Sequence, residues 1–407
     1  MRKIEKIEAL KILDSRGDWT LEAMMTLEGG AHGSASVPSG KSVSSFEAKT
    51  LPAETAVSLI EGIIRGKLTD QSFVNLEDFD RNLILLDGTP DKSKIGGNTI
   101  LALSCAFAKA SAAALNLTLY DYIDSIFYPK VRNFSMPVPL FNLINGGRHA
   151  SDGLDFQEFL VIPASENIDK NIEMGQKIYQ ALGSILLSQN FSTDVGDEGG
   201  FAPRGLRTQS ALNFLQEAGK MVGFTAGKDF FLGLDCAASQ LFMGDAYKLK
   251  NEGVVYTAAQ FRDYYLRLTQ EFPIVYLEDP LSENSFEDWQ ILKKEMKGQV
   301  DVVGDDLIAT NSVRVDMAVA NQAVSAVIIK PNQVGTISET LAAVKNCRQN
   351  HLAVVASHRS GDTSDPFIAD FAVGVGAKYL KAGAPARGER VAKYDRLLEI
   401  EKEITKS

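Results

Sequence analysis

Five short apolar segments that end in ionisable residues constrain the fold of this chain more than any other feature. The residues at their ends are Asp235, Glu278, Asp305, Lys330 and the pair His358 and Arg359. Each segment is rich in β-branched residues, which is typical of a strand buried on both faces. Helical patterns separate the segments, so the sequence predicts alternating strands and helices with a parallel sheet. Because the carboxyl ends of parallel barrel strands meet on one face, we expect these side chains to form a metal site with a base beside it.

The size and charge of the chain limit its domain count and its partners. A length of 407 residues exceeds what one hydrophobic core usually supports, so two domains are predicted. The net charge of −10 argues against nucleic acid or an anionic membrane as the main partner. There is no apolar run of membrane-spanning length and no signal-peptide pattern. The three cysteines lack paired or metal-binding spacing, and we expect them to be reduced and buried in a cytoplasmic protein.

Residues 1–130 are predicted to form an N-terminal α+β domain. Alternating apolar and polar residues with glycine turns between 2 and 36 predict a three-stranded antiparallel meander. Helical patterns follow near 53–65, 75–86 and 98–125.

Residues 131–407 are predicted to form a second domain that contains the barrel. Its first strand is expected in MPVPLFNLING, which begins at Met136. The predicted order is strand, strand, two helices near 168–189 and 208–222, and then six strand–helix pairs.

A series of motifs in family order resembles the enolase family, and the resemblance covers nearly the whole chain. In the N-terminal part they are DSRG (14–17), PSGKS (38–42) and LDGTPDKSKIGGN (86–98). In the barrel part they are MPVPLFNLINGGRHA, DFQEF, VGDEGG, LDCAAS, YLEDP, VGDDL, IKPNQVGT, SHRSGDT and KAGAPARGER. The resemblance implies an α+β cap on a modified TIM-like barrel with the order ββαα(βα)6. It also implies a phosphopyruvate hydratase, which reversibly dehydrates 2-phosphoglycerate to phosphoenolpyruvate in glycolysis and gluconeogenesis.

The resemblance implies two Mg²⁺ ions in each active site. Asp235, Glu278 and Asp305 match the ligands of the first ion, and Ser42 matches the ligand of the second. Carboxylate oxygens suit Mg²⁺ better than zinc. The alternative is that each acid merely caps the helix that follows it. Three such acids together with Lys330 make this the minority interpretation.

Four residues match the family's acid–base machinery. Lys330 matches the general base, which must be neutral to accept a proton, although an ion pair with one of the acids is an equally compatible role. Glu198 matches the acid that protonates the departing hydroxide, and Glu158 matches its partner. The alternative for the segment around Glu198 is a simple acidic turn. His149 matches a histidine on a mobile loop that closes toward the substrate.

Five further residues match contacts to the substrate. His358, Arg359 and Ser360 match the segment that holds the phosphate, where an arginine can make a bidentate contact. Lys381 matches a residue near the substrate carboxylate, and Gln157 is a further candidate for a carboxyl contact.

The first active-site loop departs from the family pattern. Residues 39–44 read SGKSVS, whereas enolases typically have S-G-A-S-T-G. Lys41 thus replaces an alanine and Ser44 a glycine, and the lysine can either contact the substrate phosphate or point to solvent. PSGKS also resembles the end of a P-loop. However, Ala35 stands where a P-loop requires glycine, so nucleotide binding is rejected.

The resemblance implies a homodimer, with larger oligomers in some members of the family. The positions that match its interface are Arg16 and Glu22, which would face Lys402 and Glu399 of a second copy and place like charges together.

Two rival functions are a related lyase for another 2-phosphorylated hydroxy acid and a non-catalytic binding protein. The intact acids and Lys330 argue against a binding protein. The second barrel strand reads FQEFLVI and lacks the K-x-K of racemases and cycloisomerases, which removes those enzymes.

The substitution Lys41→Ala tests the unusual loop. If Lys41 contacts the phosphate, the change raises KM for 2-phosphoglycerate, because a partly shielded charged contact is worth about 1–3 kcal/mol. The effect should weaken as salt screens the charges. Steady-state kinetics at two ionic strengths measure this, and an unchanged KM at low salt rules the contact out.

Overall fold

The computed structural model describes residues 1–40, 46–127, 134–150 and 153–406. The predicted domain boundary at residue 130 lies outside these ranges, as do Lys41, Ser42 and Ser44.

An antiparallel sheet forms one layer of the N-terminal domain. Its strands lie in the order β3-β2-β1-β4 and are β1 (Arg2–Leu13), β2 (Trp19–Leu27), β3 (His32–Ser36) and β4 (Ser72–Phe73). Alternate residues of β2, such as Ala23 and Met25, are buried while their neighbours are more exposed, which is the period of a sheet with one covered face. The predicted meander of β1 to β3 is confirmed. The two-residue strand β4 is too short to give a sequence pattern.

The helices of this domain pack against that sheet and against the barrel. They are α1 (Ala53–Leu59), a π-helical segment (Ile60–Ile64), α2 (Arg65–Leu68), α3 (Leu76–Asp87), α4 (Gly97–Ala114) and α5 (Leu119–Phe127). The single helix predicted over 98–125 is wrong. The chain breaks after Ala114, and Asn116 adopts a left-handed φ of 54° that cannot continue a right-handed helix.

Helix α4 is buried on almost every side. Among the described helices, none alone is long and apolar enough to cross a membrane. The pair α4 and α5, bent by 99°, meets that test by length and composition only.

The second domain contains a closed barrel. Its strands are β5 (Val138–Asn145), β6 (Glu158–Pro163), β7 (Phe230–Asp235), β8 (Phe242–Met243), β9 (Ala246–Leu249), β10 (Val254–Thr257), β11 (Ile274–Glu278), β12 (Asp301–Gly304), β13 (Ala326–Ile329), β14 (Ala353–Ser357) and β15 (Tyr379–Lys381). Its helices are α6 (Ile168–Ser188), α7 (Thr208–Met221), α8 (Ala258–Glu271), α9 (Phe286–Glu295), α10 (Ser312–Ala320), α11 (Pro331–Val334), α12 (Ile337–Gln349), α13 (Phe367–Gly374) and α14 (Gly388–Lys406). Eight of the strands close the barrel in the order β11-β12-β13-β14-β15-β5-β6-β7. The order ββαα(βα)6 is therefore confirmed.

Strands β8, β9 and β10 form a small separate sheet between β7 and α8. The sequence predicted a plain strand–helix pair here. These strands have only two to four residues each, so none shows a recognisable period.

Strand β6 runs opposite to its neighbours. It pairs antiparallel with both β5 and β7, whereas the remaining barrel pairs are parallel. Glu158, the first residue of β6, therefore pairs with Asn145 and Asp235, the last residues of the two neighbouring strands. The beginning of β6 thus lies at the same rim as the carboxyl ends of the other strands.

The N-terminal domain holds the segment that follows Lys330. The backbone N–H of Ala48 donates to the carbonyl of Gln333 at 2.8 Å. Asp80 on α3 accepts the backbone N–H of Ser338 in the first turn of α12 at 2.9 Å. Hydrogen bonds from the N-terminal domain thus hold the segment between β13 and α12 at Gln333 and at Ser338.

The substitution Gly33→Ala tests the packing of β3 on α4. A Cβ at Gly33 would lie 2.4 Å from the carbonyl oxygen of Ala106 and 2.4 Å from the nitrogen of Ala110. Since backbone atoms cannot easily yield, we expect a loss of about 1–3 kcal/mol of stability, seen as a lower Tm in thermal unfolding. The matched control is Gly62→Ala, where nothing lies within 4 Å of the new atom. It should leave Tm unchanged or raise it. An unchanged Tm for Gly33→Ala contradicts this packing.

Candidate active site

One polar cavity lies at the rim where the barrel strands end. Except for Glu278, which lies just behind this cavity, the site residues that the sequence predicts and the structure describes all line it. They are His149, Gln157, Glu158, Glu198, Asp235, Asp305, Lys330, His358, Arg359, Ser360 and Lys381. The predicted metal ligand Ser42 falls outside the described residues.

Lys381 lies among the acids of three strands. Its Nζ is 2.9 Å from Asp235, 2.9 Å from Glu278 and 3.1 Å from Glu158. Burial lowers the pKa of Lys381, but Asp235 and Glu158 outweigh burial and hold it well above its ordinary value. Burial, with Asp235 acting in the same direction, raises the pKa of Glu278 to about 8. Gln157 completes this group by donating from Nε2 to Asp235 at 3.1 Å.

Lys330 forms an ion pair with Asp305 at the ends of β13 and β12. Burial lowers the pKa of Lys330, yet the Asp305 carboxylate outweighs burial and the net direction is upward. The pKa of Asp305 moves the opposite way, since burial raises it but Lys330 lowers it further. The backbone N–H of Lys330 donates to the hydroxyl of Thr310 at 2.9 Å, which fixes the end of β13. The ion pair that the sequence allowed is thus present, and Lys330 is protonated in this arrangement.

Asp279 and Asp306 join Asp305 in a cluster that the sequence analysis missed. One carboxylate oxygen from each of the three lies within 4.8 Å of the others. Asp279 accepts the backbone N–H groups of Asp305 at 3.0 Å and Asp306 at 2.8 Å, so it shapes the loop that carries both. Its own φ of 40° is unusual for a residue other than glycine, a strain common at functional sites. Asp279 directly follows Glu278, and Asp306 directly follows Asp305. Their position beside predicted metal ligands was the available signal in the sequence.

The donor set fits a hard divalent cation. Among the described residues, six carboxylates line the cavity against three permanent cations, Lys330, Arg359 and Lys381. Burial raises the pKa of Asp306 to about 7, with Asp305 adding to the effect, and also raises that of Asp279. Clustered oxygen ligands with excess negative charge suit Mg²⁺. Of the predicted ligands, Asp305 belongs to the acidic cluster while Asp235 and Glu278 share Lys381.

Glu158 and Glu198 form a pair of carboxylates around His149. The Nδ1 atom of His149 lies 3.5 Å from Glu158 and 3.7 Å from Glu198. Glu198 accepts hydrogen bonds from Asn142 and Ser360, each at 3.1 Å. Burial raises the pKa of Glu158 well above its ordinary value. Burial acts likewise on Glu198, but His149 and other donors hold its pKa well below the ordinary value. The shifted pKa values therefore favour a proton on Glu158 over one on Glu198.

Arg359 connects the rim to the N-terminal domain. Its Nη1 lies 3.0 Å from the carboxylate of Glu47, and both side chains are buried.

Arg16 is bonded within its own chain. Its guanidinium donates to the hydroxyl of Ser39 at 3.0 Å and to the carbonyl of Gly40 at 2.9 Å. These bonds anchor the chain just before residue 41. The predicted pairing of Arg16 with a second copy stays a prediction, and within one chain this side chain is engaged beside the site.

Arg390 is a further residue that the sequence analysis missed. It is fully buried on α14, and its Nη1 lies 2.6 Å from Nδ1 of His358. Its only sequence signal was its place at the end of the KAGAPARGER motif.

Comparison with known families agrees with this architecture. The family model described as the enolase N-terminal domain matches residues 4–123. The model described as the enolase C-terminal TIM barrel domain matches residues 133–407. The two matches cover nearly all of the 407 residues, in the order of the cap and the barrel seen here. The chain therefore belongs to the enolase family.

Proposed function

We propose that this protein is a hydro-lyase that reversibly converts 2-phosphoglycerate to phosphoenolpyruvate and water. Its family membership establishes an enolase-superfamily lyase, and the substrate is our inference. The observation that carries the inference is one cavity in which Lys330, the Glu158–Glu198 pair and the His358–Arg359 segment meet. A base, an acid and anion-binding groups are the parts that this dehydration requires.

Lys330 is the proposed base that removes the proton from carbon 2. It must first lose its own proton, which the charge of Asp305 opposes. If Asp305 held a metal ion, its charge would be shared with that ion and would favour the proton of Lys330 less, so the pKa of Lys330 would fall.

Asp235, Glu278 and Asp305 are the residues proposed to hold Mg²⁺, with Asp279 and Asp306 beside them. The ion would supply positive charge for the substrate carboxylate, on which negative charge develops when carbon 2 loses its proton.

The Glu158–Glu198 pair is proposed to protonate the departing hydroxide. Burial raises the pKa of Glu158 and so favours a proton there, while Glu198 accepts hydrogen bonds. His149 lies within 3.7 Å of both acids and is placed to relay or orient that proton.

The phosphate and the carboxylate of the substrate are proposed to contact different residues. Arg359 and Ser360 are proposed to bind the phosphate, while both ring nitrogens of the adjacent His358 are engaged by Arg390 and Glu198. Lys381 is proposed to lie near the carboxylate, and Gln157 to orient Asp235 as well as the substrate.

The substitution Lys330→Ala tests the base. Loss of a general base should reduce phosphoenolpyruvate formation by at least about 100-fold. Exchange of the carbon 2 proton with deuterated water should fall with it, since both need the same group. Mg²⁺ binding, measured by calorimetry, should persist.

Lys177→Ala is a suitable control, because that lysine is half-exposed on α6 and pairs with Glu173 in the same helix. Its turnover should equal that of the unmodified protein. Undiminished exchange at carbon 2 in Lys330→Ala refutes the assignment. Mg²⁺ binding without any turnover in the unmodified protein would favour a different phosphorylated substrate.

The substitution Asp305→Asn tests the metal site. A neutral amide replaces a charged ligand, so the Mg²⁺ dissociation constant should rise by at least roughly 10–100-fold. Calorimetric titration of Mg²⁺ measures this without relying on activity.

Asp301→Asn is the matched control, since Asp301 lies at the opposite end of the same strand and pairs with Lys378 at 2.7 Å. It should bind Mg²⁺ like the unmodified protein. Equal affinities for all three proteins would place the metal elsewhere.

A further inference from the structure

The imidazole of His358 is buried between a guanidinium and a carboxylate. Its Nδ1 lies 2.6 Å from Nη1 of Arg390, and its Nε2 lies 3.3 Å from an oxygen of Glu198. His358 is 4% exposed and Arg390 is 0% exposed, so water does not compete for these contacts.

The contact with Arg390 determines which ring nitrogen carries the proton. A guanidinium has only donors and stays protonated in proteins, so the nitrogen that faces it must be bare. The proton of the neutral ring is then on Nε2, which faces Glu198. Burial lowers the pKa of His358 to about 4, and the charge of Arg390 acts in the same direction, which keeps the ring neutral.

Arg390 is itself held in place by the backbone on both sides of the site. Nη1 also donates to the carbonyl of Arg359 at 2.8 Å, and Nη2 donates to the carbonyl of Asp197 at 3.3 Å. The first carbonyl follows His358 directly, and the second precedes Glu198. The guanidinium of Arg390 therefore fixes the distance between His358 and Glu198 and orients their contact.

We infer that Arg390 is a positioning residue that fixes His358 as its Nε2–H tautomer and so makes the ring a hydrogen-bond donor to Glu198. With the other tautomer, Nε2 would be an acceptor, and the contact would require a proton on Glu198 instead. Arg390 thereby favours the ionised form of Glu198. The consequence for catalysis rests on the proposed function, whereas the tautomer does not.

Nitrogen NMR of the ¹⁵N-histidine-labelled full chain tests the tautomer directly. The chain has only four histidines, and the signal of His358 is assigned by its absence in His358→Gln. We expect a protonated Nε2 and an unprotonated Nδ1 in the unmodified protein. In Arg390→Met this preference should be lost, and in Arg390→Lys, which keeps a cationic donor, it should be retained at least in part.

Kinetics of the same variants test the consequence for the reaction. Because Arg390 acts through Glu198, Arg390→Met should lower kcat for phosphoenolpyruvate formation by roughly 10-fold or more. Exchange at carbon 2, which depends on Lys330, should persist within about twofold of its normal rate.

Arg396→Met is the matched control, because Arg396 lies on the same helix and pairs with Asp370, Glu399 and Glu403 rather than with His358. It should change neither the tautomer nor the ratio of exchange to turnover. A protonated Nδ1, or a charged ring at neutral pH, in the unmodified protein overturns the inference even if Arg390→Met does not fold. An unchanged tautomer in a folded Arg390→Met also overturns it. If the tautomer is as expected but no variant shows exchange or turnover, the proposed function fails instead.

Discussion

Balancing the buried negative charge at one end of the barrel is the constraint on which the rest of this structure depends. In the described part of the chain, six carboxylates line the cavity, and isolated charges of one sign are costly away from water. The fold meets that cost with specific partners. Lys381 contacts Asp235 and Glu158 of this set as well as Glu278 behind it, Lys330 pairs with Asp305, and Asp279 accepts two backbone N–H groups. The strand ends cannot shift without breaking several of these contacts together.

The same balance of charges gives chemically similar acids different pKa values. Burial raises the pKa values of Glu158 and Glu278, whereas nearby donors and cations hold those of Glu198 and Asp305 low. Groups a few ångströms apart are thus protonated or ionised according to their surroundings. Divergent pKa values among neighbouring acids are the usual basis for separate acid and base roles.

The strand-end residues could be predicted because their cause is local. An apolar run, an ionisable residue at its end and the geometry of a parallel barrel suffice to bring Asp235, Asp305 and Lys330 together. Glu158 is different, because it stands at the beginning of its strand. Periodicity does not reveal strand direction, so only the family resemblance brought Glu158 into the predicted site.

The role of Arg390 could not be predicted from the sequence, for a related reason. It lies 32 residues after His358, and their contact depends on how α14 packs against the loop after β14. The break between α4 and α5 was also not predicted, since the alanine-rich α4 favours a helix, an apolar helical pattern follows in α5, and the left-handed residue at the break is a single asparagine, Asn116. The Ser42 and Lys41 predictions concern residues outside the described ranges, and they stay predictions.

The hydrogen bonds that Ala48 and Asp80 make to the turn after Lys330 also affect how the molecule tolerates stress. Local regions of a protein open with lower free energies than the whole. If the N-terminal domain detached locally, the barrel strands would remain, but the segment that follows Lys330 would lose these hydrogen bonds. Function would then disappear before most secondary structure did, which makes activity the more sensitive measure of damage.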